Sequence, residues 1–200
     1  MTNFNSRILA FCSAFLFVTS APFVRANEEA VAAALPEGTA YQIALMGATN
    51  TVNLIDWKIG DTLQYDVSLK SFKLGSSTKT VTKEEGEGVW LRQEVKAMSQ
   101  NEVIEVLINR NDGSVMRMIR NGQEQSLPEN DLEIISQEAT EITVKAGKFK
   151  VIHITAKTKE IPKLEIWANP RDTAIDGTVK QMAQVQFGDV VLELVKFKRN

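Results

Sequence analysis

The only histidine of the sequence, His153, lies in ITVKAGKFKVIHITAK (142–157), just beyond a Lys145-Ala146-Gly147-Lys148 break between two β-branched runs. A histidine beside a glycine turn could act as a general base, and a glycine loop could cradle a phosphate. Neither chemistry is completed by its neighbours. The single cysteine is Cys12, no G-x-S-x-G elbow occurs, and one histidine without clustered partners makes a poor metal centre. The stretch also lacks both the G-x-G-x-x-G and the G-x-x-x-x-G-K-S/T patterns, so Gly147 serves a turn rather than a phosphate. In an extended run Phe149, Val151, His153 and Thr155 share one side of a sheet, and His153 reads as a half-buried rung with one ring nitrogen satisfied.

Other chemical candidates are weaker. Glu28-Glu29 and Glu84-Glu85 fall at a terminus and in a turn, where solvated charge is the ordinary explanation. Glu165 and Trp167 share a strand face and read as a rim tryptophan flanked by a solvated carboxylate. Trp57, Trp90 and Trp167 either anchor a core or line a groove for an apolar ligand. The sequence therefore predicts no catalytic residue, no metal ligand and no cofactor, and the protein is expected not to be an enzyme.

The elements that must position these residues begin after an export leader. Arg7 supplies positive charge, ILAFCSAFLFVTSA (8–21) an apolar core, and Val24-Arg25-Ala26 a small-residue cleavage pattern. The apolar run is short of the roughly 20 residues that span a bilayer. Cys12 is not expected to be a lipid-attachment site, because Phe11 stands where a small residue is needed and the position lies inside the apolar core. Residues 1–26 are thus expected to be a signal peptide, 27–56 a lead-in with a short helix, and 57–200 one β domain, large enough for a true core.

Of the 23 basic residues, Arg7 and Arg25 lie in the leader, so the mature chain is more acidic than the −2 of the whole sequence. That balance excludes a nucleic-acid partner. Without cysteine beyond the leader, disulfides are excluded too, and stability must come from burial and backbone pairing. The expected location is the periplasm or the exterior, with no membrane span after leader removal.

From residue 61 onward the chain alternates with period two. In TLQYDVSL (62–69), Leu63, Tyr65, Val67 and Leu69 share one face. Further strands are expected at 76–83, 89–98, 102–109, 114–120, 132–138, 141–145, 163–168, 178–187 and 190–197. Asn111-Asp112-Gly113, Asn121-Gly122 and Gly188-Asp189 are expected turns, and 123–131, with Pro128, a loop crossing between two groups of strands. NEEAVAAALPEG (27–38) predicts a short helix with acidic residues at its positive end. The segment 39–57 is ambiguous between helix and strand, Ile43, Leu45 and Met46 fitting either.

IGDTLQYDVSL (59–69), VKAGKFKVIHI (144–154), EIWANP (165–170) and the terminal GTVKQMAQVQFGDVVLELVKF (177–197) together resemble a family of exported bacterial β-proteins. Its recurring pieces are a G-D/E-x-L-x-Y-x-V opening, a V-x-A-G-x-F hairpin, a tryptophan strand before a proline loop and a long last hairpin. That family is in turn similar to the lipoprotein-carrier-like fold of LolA and LolB. The resemblance spans about residues 57–198 and brings no catalytic residue with it. It implies a curved antiparallel sheet, an incomplete barrel, whose apolar concave face is covered by the amino-terminal helix or the 123–131 loop.

The fold class expected is therefore mainly β, a curved antiparallel meander with a short N-terminal helix. Strand positions apolar on both faces, at 103–108, 115–119 and 190–197, motivate the functional expectation. It is a non-enzymatic periplasmic binding protein holding an acyl chain or a lipoprotein segment, lined by Leu63, Tyr65, Trp90, Ile104, Val106 and Trp167. The alternative is an envelope interaction or assembly module with a self-filled core and the terminal hairpin as its available edge.

Overall fold

The computed structural model describes residues 56–97, 100–127, 132–159, 161–185 and 188–200. The expected N-terminal helix and the ambiguous stretch up to residue 55 lie outside them. Eleven strands follow in order: β1 (Thr62–Leu69), β2 (Phe72–Glu85), β3 (Gly88–Ala97), β4 (Gln100–Asn109), β5 (Val115–Arg120), β6 (Gln123–Gln125), β7 (Glu133–Val144), β8 (Gly147–Lys157), β9 (Leu164–Ala168), β10 (Thr178–Val185) and β11 (Gly188–Lys198). All belong to one antiparallel sheet of order β6-β5-β4-β3-β2-β1-β11-β10-β9-β8-β7.

Two meanders make this order, β1 to β6 and β7 to β11, joined where the first strand pairs with the last. Short turns force neighbouring strands to be sequential and antiparallel. Asn121 and Gly122, with φ of 50° and 80°, make the expected two-residue turn between Arg120 and Gln123. Lys70 and Ser71 adopt the same left-handed conformation, φ 47° and 78°, without a glycine or asparagine to announce it.

Several expectations are corrected. Gln123–Gln125 is a strand on β5 rather than part of a loop; β6 and β7 lie at opposite edges of the sheet, and residues 128–131 of the expected crossing lie outside the described residues. The two segments at 132–138 and 141–145 are one strand, β7, bent by a register shift between Ile134 and Ser136. Gly188 and Asp189 are paired with Val185 and Gln184 and belong to β11. The terminal hairpin is no edge either: β11 is flanked by β1 and β10, and the edges are β6 and β7.

The sheet is open but strongly bent. Register shifts interrupt six of its ten ladders, and such bulges increase local twist and curvature. The tip of the β7–β8 hairpin consequently reaches β11, three strands away: Ala146 N donates to Leu194 O at 3.0 Å, and Lys145 Nζ meets Asp66 Oδ2 at 2.5 Å. The concave side encloses a single core, drawing Leu63, Tyr65 and Val67 from β1, Val89 and Leu91 from β3, Ile104 and Val106 from β4, Ile154 from β8 and Ile166 from β9.

Part of that core is a loop. Between β9 and β10, NPRDTAIDG (169–177) folds inward and buries Thr173, Ala174, Ile175 and Asp176. Asn169 organises it. Its Nδ2 donates to Lys150 O at 2.7 Å, its Oδ1 accepts from Asp172 N at 2.9 Å, and its carbonyl accepts from Thr173 Oγ1 at 2.6 Å. Gly177 closes the loop at φ +72°, where a Cβ would stand 2.2 Å from Pro170 N, so only glycine fits. Asp176 then meets Lys79 Nζ of β2 at 2.5 Å, both side chains buried.

Candidate functional site

His153 sits at the centre of the convex face of β7, β8 and β9, opposite Glu138 on one side and Trp167 on the other. Its ring stacks on the indole of Trp167 with centroids 4.4 Å apart and planes 2° from parallel. Nδ1 lies 3.2 Å from Glu138 Oε1. Nε2 lies 3.2 Å from Glu165 Oε1 but off the hydrogen-bonding direction, a contact that becomes an ion pair only on protonation. Lys163 holds the other oxygen of Glu165 at 3.0 Å, and Lys180 Nζ is 5.2 Å over the Trp167 ring. Both ring nitrogens thus face carboxylates rather than the hydroxyl or thiol of a nucleophile. The geometry is that of a cross-strand rung.

The six residues expected to line a ligand site do not share one surface. Leu63, Tyr65, Ile104 and Val106 meet on the concave side, 0–1% exposed within the packed core. Tyr65 Oη donates to Thr178 O at 2.9 Å, and burial, then the Asp176 charge, holds its phenol well above the usual tyrosine range. Trp90 is buried on the convex side. Its Nε1 donates to Glu85 Oε2 at 2.9 Å, and Lys83 and Arg117 lie over its ring. The indole hydrogen bond, more than the two cations, holds the Glu85 carboxyl below its ordinary range. Trp167 is half-buried beside His153 on the same convex side.

What remains open and apolar lies elsewhere. Ala139 of β7, Ile152 of β8 and Ala168 of β9 are direct register partners and form one row across three strands. Pro170 and Arg171, entering the inward loop, overhang this row. Together with Glu141 and Lys150 they bound a groove of about 510 Å³, within the roughly 300–1,000 Å³ span of small-molecule sites. Its walls are apolar, and its rim carries the cations of Lys150 and Arg171. Glu141 is engaged by Lys148 Nζ at 2.6 Å, which holds its carboxyl below the ordinary range. Such a groove can shelter an apolar chain and present positive charge to an anionic end.

No family model and no curated protein matches this chain. Among solved structures, a hypothetical protein of Chlamydia trachomatis is similar over 72% of this chain and 89% of that one, at 10% identity and a TM-score of 0.47. A Bacteroides fragilis protein with a YmcC-like fold, thought to be exported, is similar over 72% of this chain and 97% of that one, at 12% identity and a TM-score of 0.42. Likenesses this distant carry no argument about activity. Among the described residues no helix is long and apolar enough to cross a membrane, and no group of three histidine, cysteine or acidic residues could hold a metal ion.

Sequence reasoning missed the groove because none of its residues is unusual by type. Alanine, isoleucine and alanine at 139, 152 and 168 look like any strand interior, and only the register puts them side by side. The one local signal was Asn169-Pro170, a turn initiator immediately after the tryptophan strand.

Proposed function

We propose that this chain is a non-enzymatic periplasmic binding protein that holds the apolar part of a ligand, an acyl chain or the lipid-bearing segment of a lipoprotein, in the β7–β8–β9 groove. The observation that carries this reading is the apolar row Ala139–Ile152–Ala168 under Pro170, rimmed by Lys150 and Arg171. An acyl chain places its methylenes against the row, each buried one contributing about 0.8 kcal/mol, and its carboxylate or phosphate near the cations. The export leader supports the compartment. The site lies at the mouth of the concave side rather than within it.

A fluorescent fatty acid titrated into delipidated protein tests this reading. Saturable binding is expected, and Ala139→Trp, which fills the groove from an exposed position on an edge strand, is expected to weaken it at least about tenfold. Binding unchanged by that substitution would place the ligand elsewhere, and absence of binding would remove the reading.

A second reading, an envelope interaction or assembly module, is favoured by the inward loop 169–177, which fills concave space with the protein's own Thr173, Ala174 and Ile175. In vivo crosslinking that recovers no reproducible partner would count against it.

A further inference from the structure

We infer that the outer edge of β7 is a docking site for an extended, basic segment of another polypeptide, added antiparallel or parallel as a twelfth strand. This deepens the interaction reading and does not depend on the groove. β7 pairs with β8 and ends the sheet; among the described residues nothing pairs with its other side. It runs for 12 residues, and all but Ile134, Ile142 and Val144 are exposed. A strand this long presents a row of backbone donors and acceptors that another polypeptide backbone can pair in regular register.

The edge is held in place rather than left to fray. At its carboxyl end the hairpin tip is tied to β11 and β1: Lys145 N donates to Glu193 Oε1 at 3.1 Å, Ala146 N to Leu194 O at 3.0 Å, and Lys145 Nζ pairs with Asp66. At its amino end the bulge between Ile134 and Ser136 interrupts the regular ladder. The regular stretch available to a partner is therefore 136–143. A strand tethered at its carboxyl end and paired along its inner side with β8 loses little freedom on binding.

Charge selects the partner. β7 carries Glu133, Glu138 and Glu141 and no lysine or arginine. Each is met from the β8 side by a cation or by the histidine: Glu133 by Lys157 at 3.1 Å, Glu138 by His153 at 3.2 Å, Glu141 by Lys148 at 2.6 Å. Their side chains remain 66%, 70% and 49% exposed, open to a second cation from an incoming strand. A second copy of this chain is the wrong occupant. An antiparallel two-fold pairing of β7 edges centred on Glu138 or on Glu141 would set that carboxylate against its own copy, and no register would supply a cation, since β7 carries none.

The test uses two synthetic nine-residue peptides, one repeating lysine-valine-threonine and one repeating glutamate-valine-threonine, whose charges recur every third position as Glu138 and Glu141 do, titrated at low salt. The lysine peptide is expected to bind at least about tenfold more tightly, as two opposite-charge cross-strand pairs in place of two like-charge ones allow. Glu138→Lys, which lies outside the groove, is expected to shrink that preference and, combined with Glu141→Lys, to reverse it. Ala139→Pro and Thr140→Pro complete the test, because backbone N–H groups alternate in direction and one of the two points outward. The variant that still unfolds cooperatively is expected to lose peptide binding. Equal binding of both peptides would overturn the charge selection while leaving the interaction reading intact. Binding that survives the folded proline variant, or failure of both peptides to bind, would overturn edge docking itself.

Discussion

At Lys79 and Asp176 two opposite charges are buried 2.5 Å apart, on β2 and on the inward loop. Desolvating such a pair costs as much as its attraction returns, but removing one partner leaves an uncompensated charge inside. Lys79→Met is therefore expected to destabilise the fold by about 3–5 kcal/mol in chemical denaturation. Lys79→Met combined with Asp176→Asn should recover much of that loss, since Asn keeps an acceptor for Thr178 N, now 3.0 Å from Asp176 Oδ1. Additive losses would show that the two groups act separately. Tyr65 adds a pH signature. Its phenol is held well above its ordinary value, so its contribution is complete below pH of about 10 and lost as pH rises beyond it. Alkaline melting curves should show this loss, and Tyr65→Phe should flatten it. Of these three residues the sequence singled out only Tyr65. Lys79 looked like one more polar residue of a threonine-rich strand, and Asp176 like a loop charge; only folding put them together.

Among the elements, the β7–β8 hairpin depends on contacts beyond its own ladder. Asp66 receives Lys145 at 2.5 Å and Lys73 at 2.6 Å, and these two, Lys145 first, hold its carboxyl below the ordinary range. A lowered folded-state value means stability that is present above the usual carboxylate pKa of about 3.9 and lost as pH falls. Asp66→Asn should remove that acid sensitivity and cost about 1 kcal/mol or less at neutral pH, both lysines being largely solvated. Amide exchange across 142–150 would report the loosening. The hairpin itself was legible, since Val144-x-Ala146-Gly147-x-Phe149 punctuates two β-branched runs. Its role as a tether was not, because Asp66 is 79 residues from Lys145. The same distinction explains the turns. Asn121-Gly122 follows local chemistry, whereas Lys70-Ser71 is bent by the pairing of β1 with β2 on either side.

For the whole molecule, the packed interior and the proposed groove meet at Ile152 and Ala168 but part at Leu63 and Ile104 on one side and Ala139 on the other. Leu63→Ala or Ile104→Ala should cost about 2–5 kcal/mol, the usual range for emptying a packed position, without changing fatty-acid affinity under native conditions. Ala139→Trp should do the reverse. An affinity that fell with the core substitutions and ignored Ala139 would return the ligand to the concave interior. Alternation with period two determined an all-antiparallel chain with a sorted apolar face, and a leader-like start with no cysteine after Cys12 set the expectation of export, because these are properties of neighbouring residues and of amounts. The tertiary structure decided the rest: which strands are edges, that a loop enters the concave side, and that Ala139, Ile152 and Ala168 stand in one row. Those follow from long-range register and from six bulges that bend the sheet, and neither is written in the spacing of adjacent side chains.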